Sequence, residues 1–126
     1  MAYVRDVMKK EIVIAKIDDS VKKICGILSK KKMSNIPVVN KKGELRGVVS
    51  EQDIIRGMES QGFMKLTAKN IMTESVFSVK ENDSLEHAAK MFTEKPFRRL
   101  PVLRGKKVIG TVTRDDIIQS FMSDYY

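Results

Sequence analysis

The sequence predicts an α/β (α+β) fold built from two tandem βαββα repeats packed about a pseudo-twofold axis. Three observations predict it. The chain aligns with itself in one register. Within each copy, short β-rich runs alternate with segments of helical apolar spacing. Neither copy is long enough to bury its apolar face alone, so the two are expected to pack together. Shifted by 64 positions, Met8 falls on Met72, Lys16 on Lys80, Asp19 on Asp83, Ser20 on Ser84, Pro37 on Pro101 and Val38 on Val102. After Pro101 the second copy loses one residue in a turn. At the resulting shift of 63, Gly47 falls on Gly110, Val49 on Val112, Ser50 on Thr113, Asp53 on Asp116, and Ile54-Ile55 on Ile117-Ile118. The repeats are expected at residues 1–60 and 68–126, with 61–67 as the linker.

Each copy reads in the same order. A short turn (Val4 to Met8; Ala68 to Met72) leads into a brief apolar stretch, Ile12-Val13-Ile14 or Val76-Phe77-Ser78, expected as the first strand. Asp19 and Asp83 stand where a helix cap is wanted, and Asp83-Ser84-Leu85-Glu86 has capping-box spacing. Helices follow, with Val21, Ile24, Cys25 and Leu28 on one apolar side and Leu85, Ala88, Ala89 and Phe92 on the other. Two β-rich runs come next, Ile36 to Val39 with Leu45 to Val49, and Leu100 to Leu103 with Val108 to Val112. The turns between them, Asn40-Lys41-Lys42-Gly43 and Arg104-Gly105-Lys106, carry Gly and read as hairpin loops. A second helix closes each copy. In the linker, Phe63 to Leu66 reads as simple packing more readily than as a cover for a cleft.

Composition narrows the function classes. Of 126 residues, 42% are apolar, enough for a core, and the 32% that are charged are broken up along the chain, which argues against disorder. No long apolar run suggests a membrane span, and Met1 to Lys10 lacks the apolar stretch of a secretory signal. The single cysteine, Cys25, rules out an internal disulfide, and a reducing cytoplasmic location is expected. The net charge of +8 suits polyanions. Much of it lies in short lysine clusters at turns and helix ends, such as Lys30-Lys31-Lys32, which read as solvated surface.

The most informative segments are Gly47-Val48-Val49-Ser50-Glu51-Gln52-Asp53 and Gly110-Thr111-Val112-Thr113-Arg114-Asp115-Asp116. Each joins a strand to a helix. A hydroxyl followed three residues later by an acid is a helix N-terminus: the hydroxyl accepts a first-turn N–H, and the acid suits the positive end of the helix. The same corner also suits a nucleotide. Unpaired N–H groups attract phosphate. A hydroxyl can donate to it, a carboxylate one turn on can accept both hydroxyls of a ribose, and a Gly lets a ligand approach the backbone. The two readings are compatible; repetition of the hydroxyl, the acid and the Gly in both copies favours function, although a duplicated cap would repeat too.

At these residues the chain resembles the CBS-domain (cystathionine-β-synthase-type) family, in the form of a stand-alone domain pair or Bateman module. The resemblance covers essentially the whole chain. It rests on the βαββα repeat, on Pro37-Val38-Val39 and Pro101-Val102-Leu103, and on the two Gly-x-x-Ser/Thr-x-x-Asp segments. It implies clefts between the copies that take AMP, ADP, ATP or S-adenosylmethionine. It assigns Asp53 and Asp116 to the ribose, and Ser50 and Thr113 to the phosphate. Val13, Val48, Phe77 and Thr111 are placed beside the adenine. Arg98 and Arg99 stand where members of the family often carry phosphate-binding residues, whereas the first copy has Ser34 and Asn35. The cleft holding Thr113, Asp116 and Arg98 is therefore expected to take the tighter or more phosphorylated ligand.

The family also implies a homodimer through its helices, for which Ile55, Met58, Ile118, Phe121 and Met122 are candidates. It implies a ligand signal read by a target enzyme or transporter on another chain. An enzyme is not expected. There is no P-loop, no Ser-His-Asp or Cys-His set, and no metal site, since His87 is the only histidine and Cys25 lies on an apolar helix side. Two other classes remain. A basic nucleic-acid-binding module fits the charge but lacks stacking aromatics among the basic runs. A purely structural interaction domain would leave its clefts empty.

Overall fold

A computed structural model describes residues 2–125, with side chains as far as Met122. Met1 and Tyr126, the outer bounds of the two repeats, lie outside the described residues. The fold is mixed α/β with two three-stranded sheets, ordered β1-β2-β3 and β4-β5-β6. In the first, β1 (Ala15–Lys16) runs parallel to β2 (Asn35–Val39), which pairs antiparallel with β3 (Leu45–Ser50). In the second, β4 (Val79–Lys80), β5 (Arg99–Arg104) and β6 (Lys107–Thr113) repeat that pattern. Helices α2 (Val21–Lys31) and α5 (Leu85–Glu94) connect the parallel strands, and α3 (Glu51–Gly57) and α6 (Arg114–Tyr125) follow the hairpins. Gly43 and Gly105 hold φ of 79° and 62° in the hairpin turns, a backbone region that glycine enters without steric cost.

Two local expectations change. The helix caps are Ser20 and Ser84, whose hydroxyls accept the N–H of Lys23 and of His87. Asp19 and Asp83 lie one residue earlier and accept the N–H of Lys16 and of Lys80, closing the turn before the helix. The first strands also start later than the apolar stretches that announced them. Val13 and Phe77 precede the ladders, which pair only Ala15-Lys16 with Val38-Val39 and Val79-Lys80 with Val102-Leu103. One step earlier, the partner would be Pro37 or Pro101, which has no N–H to give the ladder.

The compact units in space divide the chain differently from the sequence repeats. One comprises 13–76, the other 1–12 with 77–126. In the second unit the leading segment, with its short helix α1 (Val4–Val7), packs on the body of the second repeat. Val4 is fully buried, and the N–H groups of Val4 and Arg5 donate to the carbonyls of Asp83 and Glu81. The first unit has the matching arrangement. Ala68, in α4 (Ala68–Ile71), is fully buried, and the N–H groups of Ala68 and Lys69 donate to the carbonyls of Asp19 and Ile17. Each unit closes its own core around equivalent residues: Ala15, Ile24, Leu28, Ile36, Val38, Val49 and Ala68 in one, Val79, Ala88, Phe92, Leu100, Val102, Val112 and Val4 in the other. The linker turn Phe63–Lys65 continues into Leu66, whose carbonyl accepts the N–H of Val21 at the start of α2.

Each leader then runs along the outer edge of its unit's hairpin. Thr73 exchanges both backbone hydrogen bonds with Val48 in β3, and Lys9 does so with Thr111 in β6. Gly47 and Gly110 make this possible. A methyl group on Gly47 would meet the Thr73 carbonyl at 2.8 Å, and one on Gly110 would meet the Lys9 carbonyl at 2.7 Å. Gly47→Ala and Gly110→Ala are each expected to destabilise the protein by about 1–3 kcal/mol, the usual cost of overpacking against a fixed backbone. Urea unfolding measures this, and an unchanged midpoint in either variant would show that the leader can move aside.

Candidate functional site

Both strand-to-helix corners place the acid of the Gly-x-x-Ser/Thr-x-x-Asp segment inside the protein. Asp53 is 2% exposed and Asp116 6%. Each carboxylate uses one oxygen on its own helix start. Asp53 Oδ2 accepts the N–H of Ser50 at 2.8 Å and its hydroxyl at 3.0 Å, while Ser50 Oγ accepts the Asp53 N–H at 3.2 Å. Asp116 Oδ2 accepts the Thr113 N–H at 2.8 Å, and Thr113 Oγ1 accepts the Asp116 N–H at 3.1 Å. Reciprocal capping is thus part of the design of both corners. A buried ionised group needs such partners, because each one replaces hydration lost on folding.

The second oxygen of each carboxylate faces the leader. Asp53 Oδ1 accepts the Thr73 hydroxyl at 2.9 Å and lies 3.5 Å from the Arg56 guanidinium. Asp116 Oδ1 accepts the Lys9 ammonium at 2.9 Å. Thr73 and Lys9 occupy the same place in the repeat, 64 positions apart, so one backbone position delivers a neutral donor to one corner and a cation to the other. The hydrogen bond to Asp116, reinforced by its charge, raises the Lys9 pKa above the ordinary lysine value.

The rest of each corner differs in the same sense. Arg99 is in register opposite Thr113 at the mouth of the second hairpin, whereas Asn35 is opposite Ser50 in the first. Arg98 is exposed, and neither it nor Arg99 has an acidic partner among the described residues. At the helix starts, Arg114 aligns with Glu51. The Arg114 guanidinium donates to the carbonyls of Phe97, Phe92 and Lys95, and so ties the end of α5 to the start of α6. Next to the leader donors, Lys10 aligns with Glu74. The Asp116 corner thus receives a cation from its leader and has basic residues at the hairpin mouth, with Asp115 beside it on α6, whereas the Asp53 corner receives a neutral donor from its leader and a cation, Arg56, from its own helix.

The unit of residues 13–76 brings together Ser50, Asp53 and Val48, and the other unit brings together Thr113, Asp116, Thr111, Arg98 and Arg99. Val48 and Thr111 have both main-chain groups committed to the leaders, so they offer a ligand only their side chains. The space at Gly47 and Gly110, expected to admit a ligand, is filled by the leader backbone. Val13 packs against the core of its own unit. Phe77 is 42% exposed, with its ring 5.3 Å from that of Phe97 and the Lys95 ammonium 5.0 Å from its centroid. Sequence reading missed Lys9 and Thr73. Their alignment was visible one residue beyond Met8 and Met72, but no local pattern ties them to acids 107 and 20 residues away.

The sequence pattern of the CBS domain matches residues 4–60 and 68–123. The chain belongs to the CBS-domain family. It carries a pair of CBS repeats. An uncharacterised protein of Methanocaldococcus jannaschii, MJ1426, is 28% identical over 94% of this chain and 90% of its own length. Among the first three curated relatives it matches, the chain spans 90%, 61% and 23% of their length. The structure of CBSX2 in complex with AMP covers all of both chains at 28% identity, with a TM-score of 0.85. The CBS domain pair of protein MJ0100, in complex with 5′-methylthioadenosine and S-adenosyl-L-methionine, covers 98% of both chains at 26% identity, with a TM-score of 0.77. Among the described residues, no helix of this CBS pair is long and apolar enough to cross a membrane.

The capping network has its own consequence for stability. Asp53→Ala removes the acceptor of the Ser50 N–H and of the Thr73 hydroxyl together. Thermal or urea unfolding without ligand is expected to show a loss of about 1–3 kcal/mol, the penalty for stranding buried donors. A loss below about 0.5 kcal/mol, at the foot of the helix-cap range, would mean that water replaces the carboxylate.

Proposed function

We propose that this CBS pair is a regulatory module that binds an adenosine-containing ligand, AMP, ADP, ATP or S-adenosylmethionine, and has no chemistry of its own. The observation that carries the reading is a buried carboxylate at each strand-to-helix corner, with one oxygen spent on the cap and the other turned to a displaceable side-chain donor. The adenosine ligands of CBSX2 and of the MJ0100 pair support the ligand class. In this reading Asp53 and Asp116 hold ribose hydroxyls. Ser50, Thr113, Arg98 and Arg99 face phosphates, and Val13, Val48, Phe77 and Thr111 stand beside adenine. The Asp116 corner suits the more phosphorylated ligand, because the basic residues gather there.

The module acts in the cytoplasm on a target enzyme or transporter, through whatever arrangement the bound ligand prefers. It does so as a homodimer. Ile55 on α3 and Met58 at its C-cap are 66% and 63% exposed, and Ile118, Phe121 and Met122 on α6 are 59%, 48% and 53% exposed. Beside Ile55, an open groove between α2 and α3 is lined by Cys25, Leu28, Met33 and Ile54. Large apolar side chains exposed on each of these helices mark contact surfaces.

Thermal shift with AMP, ADP, ATP and S-adenosylmethionine tests the ligand reading. A true ligand at 100 times its Kd stabilises the fold by about 2.7 kcal/mol. No shift with any of them would leave a structural module with empty sites, and binding only to RNA or DNA, with a steep salt slope, would favour the nucleic-acid class. Light scattering tests the dimer: about twice the 14.3 kDa chain mass is expected at micromolar concentration, falling to one chain on Ile118→Glu with Met122→Glu. A monomeric wild type would refute the dimer.

A further inference from the structure

We propose that Lys9 is a specificity-determining residue, and that it makes the Asp116 corner select a phosphorylated adenosine ligand over the bare nucleoside. The inference rests on the ligand reading above and deepens it. The Asp116 side chain is 4% exposed and that of Lys9 67%, so the ammonium sits at the solvent end of a buried carboxylate. Oδ2 is committed to the Thr113 N–H, which leaves Oδ1, at 2.9 Å from Lys9 Nζ, as the oxygen a ribose hydroxyl must share or take.

The cost of that exchange depends on what else the ligand carries. A bare nucleoside replaces a charge-assisted hydrogen bond with a neutral one and returns the ammonium to water. Charge-assisted bonds are roughly twice as strong as neutral ones, so the exchange is a net loss. A ligand with a phosphate offers the displaced ammonium a new oxyanion, and the three donors of a lysine on its flexible stem can follow it. Lys9 therefore penalises one ligand and rewards the other.

The neighbouring groups act in the same direction. Arg99 lies opposite Thr113 without an acidic partner among the described residues. The Thr113 hydroxyl donates to no acceptor among the described residues, whereas the Ser50 hydroxyl already donates to Asp53. At the other corner the leader gives Asp53 Oδ1 only the neutral hydrogen bond of Thr73, with Glu74 beside it in the chain, and the nearby cation, Arg56 at 3.5 Å, comes from α3 and not from the leader. A nucleoside exchanges one neutral hydrogen bond for another there and leaves Arg56 in place, and a phosphate finds no cation from the leader.

Heteronuclear NMR titration of the full chain with adenosine and with AMP reads the two corners separately, through the amides of Thr113 and Asp116 and those of Ser50 and Asp53. In Lys9→Thr, which installs the residue of the other corner, AMP affinity at Thr113 and Asp116 is expected to fall about tenfold or more, the size of one charge-assisted bond. Adenosine affinity there should hold or rise, and binding at Ser50 and Asp53 should not change. Thr73→Lys should raise the preference for AMP at Ser50 and Asp53. Lys9→Met, which keeps the aliphatic stem, should repeat the Lys9→Thr result if the charge is the cause. An equal loss of both ligands in Lys9→Thr would reduce Lys9 to a structural contact, and an unchanged AMP-to-adenosine ratio would overturn the proposal. If neither ligand moves these amides in the wild type, the ligand reading itself fails, and the selectivity assigned to Lys9 falls with it.

Discussion

A carboxylate has two oxygens, and in this protein a buried aspartate at each corner divides them between two tasks. One oxygen closes the reciprocal cap that starts α3 or α6, and the other receives a donor from a segment that leads into the opposite repeat. The helix start, the edge of the hairpin and the leader are therefore held at one point. Neither oxygen can be left unpaired in a site this buried without a large desolvation cost. The leader completes the corner as a structural part, and in the proposed function a ribose would have to compete with a hydrogen bond already formed.

The glycines give the same constraint in steric form. Gly47 and Gly110 stand where a ligand-binding strand end is expected to leave room, and the backbone of the leader uses that room. Pro37 and Pro101 complete the arrangement from the other side of the hairpin. They end the parallel ladder, and the residues opposite them, Val48 and Thr111, turn their main-chain groups outward to Thr73 and Lys9. The Gly and Pro positions of the repeat thus act together to seat the leader.

Duplication has kept this backbone and let the side chains diverge. Every main-chain bond of one corner has its counterpart in the other, yet Lys9, Lys10, Arg98, Arg99 and Arg114 align with Thr73, Glu74, Ser34, Asn35 and Glu51. These positions are exposed or half-buried, so charge can change there without touching the core, whereas the capping acid is buried. Two corners of one backbone shape in this way receive different charges from their leaders, a cation at Asp116 and a neutral hydroxyl at Asp53.

The repeat, the hairpins and their turns, the apolar helix faces and the pairing of hydroxyl with acid were legible in the sequence, because each is set by neighbours a few residues apart. Local pattern misplaced the serine caps by one residue and the first strands by two or three, since Asp and Ser compete for one turn and a proline on the partner strand decides where a ladder can begin. Lys9 on Asp116 and Thr73 on Asp53 required the tertiary structure. So did the assignment of each leader to the body of the other repeat. Those contacts join residues far apart in the chain, and only the folded backbone brings the leader to the one carboxylate oxygen that the cap leaves over.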